Sequence, residues 1–237
     1  MRIFFLLTAA ILPAALLWLF IWRKDPQKEP TRLLVKAVWY GIGIVVPVGL
    51  MEAGLQHLLF GEGQPMTLIR TTITAFGIAA LPEELSKLFC LWLILRRNPY
   101  FDEHFDGIVY AVSIGLGFAA MENIGYLIEE GDQWATTAVV RALLAVQGHY
   151  AYAVLMGYYY SIYHFTDRSF RVKASILLIP VLAHGIYDSI AMSGMVDEAL
   201  GGFAFPILIY FCVRMHKFVY HKMTEQVQRS KEETNPV

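Results

Sequence analysis

Long apolar runs separated by short polar punctuation dominate the chain. Runs of this length have no partner surface in water, whereas a helical bilayer crossing needs about 20 consecutive apolar residues. The pattern predicts seven helical spans, near 3–22, 36–60, 68–95, 107–128, 135–163, 173–193 and 201–220. Turn and charge signals separate them: Arg23-Lys24-Asp25-Pro26, Gly61-Glu62-Gly63-Gln64-Pro65, Asn98-Pro99-Tyr100, Glu129-Glu130-Gly131-Asp132, Thr166-Asp167-Arg168-Ser169 and Asp197-Glu198. The first run, Ile3 to Trp22, is long enough to cross and leads into no small-residue cleavage site, so it reads as a span and not a signal peptide. No internal repeat or inverted pair of halves is visible. The expectation is an all-α, polytopic integral membrane protein, with residues 1–237 forming a single membrane-embedded domain.

Composition sharpens this picture. With 57% hydrophobic and only 16% charged residues, the chain cannot cover itself with an ordinary aqueous surface. A net charge of −1 argues against a nucleic-acid partner, which would require basic surface facing phosphates. Cys90 and Cys212 lie in separate apolar stretches without metal-type spacing and read as buried thiols. The basic residues are distributed unevenly: 15 of the 19 fall after spans 1, 3 and 5 or at the C-terminus. Cytoplasmic loops hold such an excess, so the N-terminus is expected outside and the C-terminus in the cytoplasm.

Several polar side chains fall inside the spans. Glu83, Glu84, Lys87, Glu122, Arg141 and Asp188 are charged groups at membrane depth, joined by Asn123, His149 and His184. Each central Asp, Lys or Arg costs roughly 2.5–3.5 kcal/mol on insertion scales, which points to a shared polar interior site. Bland alternatives exist for each. Glu83 or Glu84 with Lys87 fits an i, i+3 or i, i+4 ion pair, Arg141 fits a structural counter-ion, and His149 fits a satisfied core histidine. His184 and Asp188, four apart, share a helix face. Gly107, Gly115, Gly117 and Gly125 suit close helix packing, Tyr158, Tyr159 and Tyr160 suit an interfacial belt, and Glu52 and His57 lie near enough to a span end to reach water.

General bases and histidines in a dehydrated interior suit water activation: a carboxylate takes a proton from water as it attacks a peptide carbonyl, and a neighbouring polar group stabilises the oxyanion. A divalent metal such as Zn²⁺, held among Glu83, Glu84, Glu122, His149 and His184, is the other route. Carboxylates outnumber histidines and there is no His-Glu-x-x-His, which tilts the reading slightly away from a bound ion. Seven spans with an outside N-terminus also suit a proton-coupled transporter or receptor.

The motifs Pro82-Glu83-Glu84-Leu85-Ser86-Lys87, Phe105-Asp106-Gly107, Gly115 through Asn123, His149 and His184-Gly185-Ile186-Tyr187-Asp188 resemble the PrsW family of bacterial membrane proteases. They are more distantly similar to the type II CAAX prenyl endopeptidases. The resemblance implies a multi-pass enzyme of the bacterial cell membrane that makes the site-1, extracytoplasmic cut in a single-pass anti-sigma factor and so starts regulated intramembrane proteolysis. A prenyl-protein or peptide-maturation protease is the enzymatic alternative. On this reading Glu83, Glu84, Glu122, His149, His184 and Asp188 are the catalytic set, with Lys87, Asn123 and Arg141 in support. At about 1.5 Å per residue, Glu83, His149 and His184 fall near the midplane, Glu122 and Asp188 lie similarly outward of it and Arg141 further out.

Overall fold

The computed structural model describes residues 1–61, 63 and 65–234. Glu62 and Gln64 of the second predicted loop and residues 235–237 lie outside the described residues, as do the side chains of Glu198 and Thr234. Among the described residues every regular element is helical. In chain order these are α1 (Arg2–Lys24), α2 (Thr31–Phe60), α3 (Leu68–Ile73), a π-helical segment (Thr74–Ala80), α4 (Leu81–Leu95), α5 (Asp106–Glu129), a 3₁₀ turn, α6 (Trp134–Leu143), α7 (Ala145–Ser161), a second π-helical segment (Ile162–Thr166), α8 (Phe170–Ser193) and α9 (Glu198–Thr234).

Six stretches are long and apolar enough to cross a membrane: Arg2–Lys24, Thr31–Phe60, Asp106–Glu129, Gly131–Thr166, Phe170–Ser193 and Ala199–Glu233. The predicted span 68–95 is helical along its whole length, but any 18-residue window within it holds at least three of Arg70, Glu83, Glu84 and Lys87. Its apolar character is therefore diluted by the very groups that make it interesting. The predicted span 135–163 is two helices, because the backbone bends at Leu144 (φ −119°, ψ −61°) between α6 and α7.

α5 is the central helix, buried along most of its length. Small residues let its neighbours approach. A Cβ on Gly157 of α7 would stand 2.3 Å from the Gly107 carbonyl, and one on Gly117 would stand 2.3 Å from the Val38 carbonyl of α2. Gly125 has nothing near it, so the packing role expected from the sequence stops at Gly117. Cys90 and Cys212 are free and buried, as expected.

The two ends of the bundle differ. At one end Arg2 donates to the Gly131 carbonyl and pairs with Asp132 at 3.2 Å, which joins the start of α1 to the α5–α6 connection. At the other end the last turns of α9 rest on the loop before α5: Ser230 Oγ accepts from Phe105 N–H at 2.9 Å, and Glu233 meets His104. Tyr158 is buried there and donates to Glu225 at 3.0 Å, so it supports α9 and does not belong to an interfacial belt.

Candidate active site

The first π segment prepares the site. Pro82 has no N–H to donate, and its ring would crowd the carbonyl four residues back in a regular helix. The widened turn directly upstream, where Leu81 N–H reaches the Phe76 carbonyl five residues away, absorbs that misfit. Phe76 then packs on α8 at Gly185, which brings His184 beside the start of α4.

Glu83, Glu84 and Lys87 form a buried knot on α4. The Lys87 ammonium donates to Glu83 Oε2 at 2.9 Å, to Glu84 Oε1 at 2.8 Å and to His149 Nδ1 at 3.1 Å. It also sits 4.2 Å from the centre of the Phe118 ring, a cation–π contact. Because an ammonium only donates, His149 Nδ1 must accept, and Nε2 carries the ring proton toward Glu122 Oε2 at 3.1 Å. Glu122 is held in turn by Arg141 Nη2 at 2.5 Å, and Arg141 Nε donates to Asn123 Oδ1 at 2.6 Å.

On the other flank, His184 Nδ1 lies 3.0 Å from Glu84 Oε1, and its Nε2 lies 3.3 Å from Asp188 Oδ2. Facing an acceptor at each nitrogen, this ring is arranged as a doubly protonated imidazolium. The structure thus brings together all nine residues singled out in the sequence, in one chain of contacts from Asp188 through His184, Glu84, Lys87, His149 and Glu122 to Arg141 and Asn123, with Glu83 joined to it at Lys87. Bland readings survive for part of it: Lys87 is an intrahelical counter-ion and Arg141 an interhelical one.

Two residues join the site that sequence reasoning had left out. A cavity of about 690 Å³ is lined by Glu83, Glu122, His149, His184 and Asp188, and also by Glu52 and Tyr152. Glu52 was expected to reach water at a span end, but α2 turns it inward to this cavity. The Tyr152 ring stacks on His184 (centroids 4.6 Å apart, 18° between planes), and its hydroxyl is buried without a hydrogen-bond partner. Its spacing of three from His149 was the signal that could have found it. Glu84 is wholly buried and is not among the residues lining the cavity.

The donor set has the chemistry of a metal site. Glu83, Glu84 and His149 each offer a ligand atom within 4.8 Å of the other two. Glu84 Oε2 is buried without a partner, and four carboxylates outnumber Lys87, Arg141 and the His184 imidazolium. A divalent cation fits both features.

In this polytopic helical bundle, carboxylates and histidines converge on one cavity, an arrangement suited to water activation within a membrane. Residues 29–215 match the family model described as PrsW family intramembrane metalloprotease, and the chain belongs to that family. Protease PrsW of Geobacillus kaustophilus (strain HTA426) is 36% identical over 188 residues, covering 78% of this chain and 79% of that protein. Protease PrsW of Bacillus subtilis (strain 168) is 35% identical over 190 residues, covering 79% and 83%. Protease PrsW of Clostridioides difficile (strain 630) is 30% identical over 227 residues, covering 94% and 91%. No solved structure matches the chain. The protein is a multi-pass membrane endopeptidase of the bacterial cell membrane, which decides between the enzyme and transporter readings.

Proposed function

We propose that this protease makes the site-1, extracytoplasmic cut in a single-pass anti-sigma factor, and that residues 1–237 act as one membrane-embedded protease domain. The observation that carries the reading is the course of the cavity. It runs from Glu83 past His149, His184 and Glu122 toward Gln56 and Met195, near the ends of α2 and α8 that lie with the start of α1. The uneven distribution of Lys and Arg puts that end outside. Seven crossings, with 68–95 as the charged one, agree with the N-terminus and the end of α9 lying at opposite ends of the bundle.

Glu83 faces the cavity and serves as the base that takes a proton from the attacking water. Lys87 fixes Glu83 and Glu84 together, and Glu84 positions His184. His184, backed by Asp188, gives a proton to the departing amine. The unpartnered Tyr152 hydroxyl donates to the oxyanion. If a divalent ion is bound, Glu83, Glu84 and His149 would hold it with His184 alongside, and it would supply a water that ionises near neutral pH.

The test is reconstitution of the purified protein with a single-pass membrane substrate, followed by sequencing of the new N-terminus on the membrane-retained product. A cut just outside the substrate's transmembrane helix is expected, and a cut on its cytoplasmic side overturns the assignment. Zinc analysis of the active enzyme before and after chelation, with activity lost and restored in step, decides the metal question.

A further inference from the structure

A second group of carboxylates lies at the opposite end of the bundle. Asp25 follows α1, Glu29 precedes α2, Glu103 lies in the loop before α5, and Asp106 opens α5. Asp25, Glu103 and Asp106 are 3%, 1% and 0% exposed, and one oxygen from each lies within 4.8 Å of the other two. Each is anchored through one oxygen by N–H donors. Glu29 N–H reaches Asp25 Oδ2 at 3.3 Å, Gln27 Nε2 reaches Glu103 Oε2 at 3.2 Å, and the backbone N–H groups of Asp102 and Glu103 reach Asp106 Oδ2 at 3.0 and 2.8 Å.

The other oxygen of each, Asp25 Oδ1, Glu103 Oε1 and Asp106 Oδ1, is buried with no hydrogen-bond partner. Lys28, three residues from Asp25, directs its ammonium to the backbone carbonyls of Trp22, Arg23 and Asp25. Glu29 adds a fourth acid and accepts from Tyr110. Ionised carboxylates buried this way are unfavourable without a counter-charge.

We propose that Asp25, Glu103 and Asp106 hold a hard divalent cation, Mg²⁺, Ca²⁺ or Mn²⁺, in a site separate from the catalytic centre. The donors are all oxygen, which favours these ions over Zn²⁺. Along α5, Asp106 stands about 24 Å from Glu122, too far for one ion to serve both groups. The ion ties the α1–α2 connection to the loop before α5. The same loop seats the end of α9 through Phe105 and His104, so occupancy sets the order of the face on which α9 rests.

The test uses the full chain in detergent, stripped with chelator and titrated with Mn²⁺ under electron paramagnetic resonance. A Glu83→Gln, Glu84→Gln, His184→Ala chain should still bind one Mn²⁺, displaced by excess Mg²⁺ or Ca²⁺. An Asp25→Asn, Glu103→Gln chain, with its catalytic centre intact, should bind the ion at this site at least tenfold more weakly. Adding Mg²⁺, Ca²⁺ or Mn²⁺ should raise the melting midpoint of the stripped wild type by several degrees and leave that of the double variant unmoved. A stripped wild type indifferent to all three ions overturns the proposal without reference to any variant. Unchanged Mn²⁺ affinity in the double variant does the same.

Discussion

Gly185 meets the ring of Phe76 so closely that a Cβ there would stand 2.2 Å from Cδ1. This contact seats α8 on the π segment and sets the distance from His184 to Glu84. Gly185→Ala should therefore part the two helices and lower proteolysis at least tenfold, although residue 185 touches no reacting group. Phe76→Ala opens room for the methyl group, so the double variant should recover much of the loss. Activities of both single variants and the double variant form the check, and purely additive losses would count against the coupling.

Glu83 and Glu84 should separate in kinetics. If Glu83 is the base, Glu83→Gln should lower kcat by about 10²- to 10⁴-fold. Glu84→Gln should act through His184 and Lys87, with a smaller loss and an altered pH profile. Both variants should accumulate in the membrane at normal levels. Equal and complete losses with identical pH profiles would mean that the glutamates share one role.

Tyr152→Phe deletes a hydroxyl that is buried and unpartnered in the resting enzyme. Folding should not suffer, because the lost group had no bond to lose. If the hydroxyl meets the oxyanion, kcat should fall by about 10²-fold with KM unchanged. Full kcat in a normally melting variant would remove Tyr152 from the reaction.

Arg141→Ala leaves Asn123 Oδ1 without its donor and Glu122 with His149 Nε2 alone. Hydrogen bonds to charged groups contribute about 1.5–3 kcal/mol, so a loss of that order in unfolding free energy is expected, with a smaller loss for Arg141→Lys. Unfolding in mixed detergent gives the measurement.

The helical spans and the polar residues of the site were legible in the sequence because charge inside an apolar run has few innocent explanations. Glu83, Glu122, His149, His184 and Asp188 stood out for that reason. Glu52 did not, because depth counted along a span says nothing about which side of α2 faces inward. Tyr152 was hidden among tyrosines that suit a membrane interface equally well. The bend at Leu144 carries no Pro or Gly signal, and the π segment before Pro82 is a response to packing as much as to local sequence. The carboxylates at the α9 end did not read as one group: Asp25 stood in a loop signal, Asp106 in a motif of the family resemblance and Glu103 in a predicted loop, where acidic residues are ordinary.

The pairing of Lys87 with Glu83 and Glu84 also bears on how the chain is made. Its partner from another helix, His149, follows it by 62 residues, and His184, which meets Glu84, follows it by 97, so both are synthesised much later. Alone, the inner part of the 68–95 helix would present Glu83, Glu84 and Lys87 to lipid. Because the ammonium reaches back to both carboxylates on its own helix, at 2.8 and 2.9 Å, that helix enters the bilayer with most of its charge already neutralised. Lys87 thus offsets the carboxylates of its own helix before α7 and α8, which carry His149 and His184, have been made.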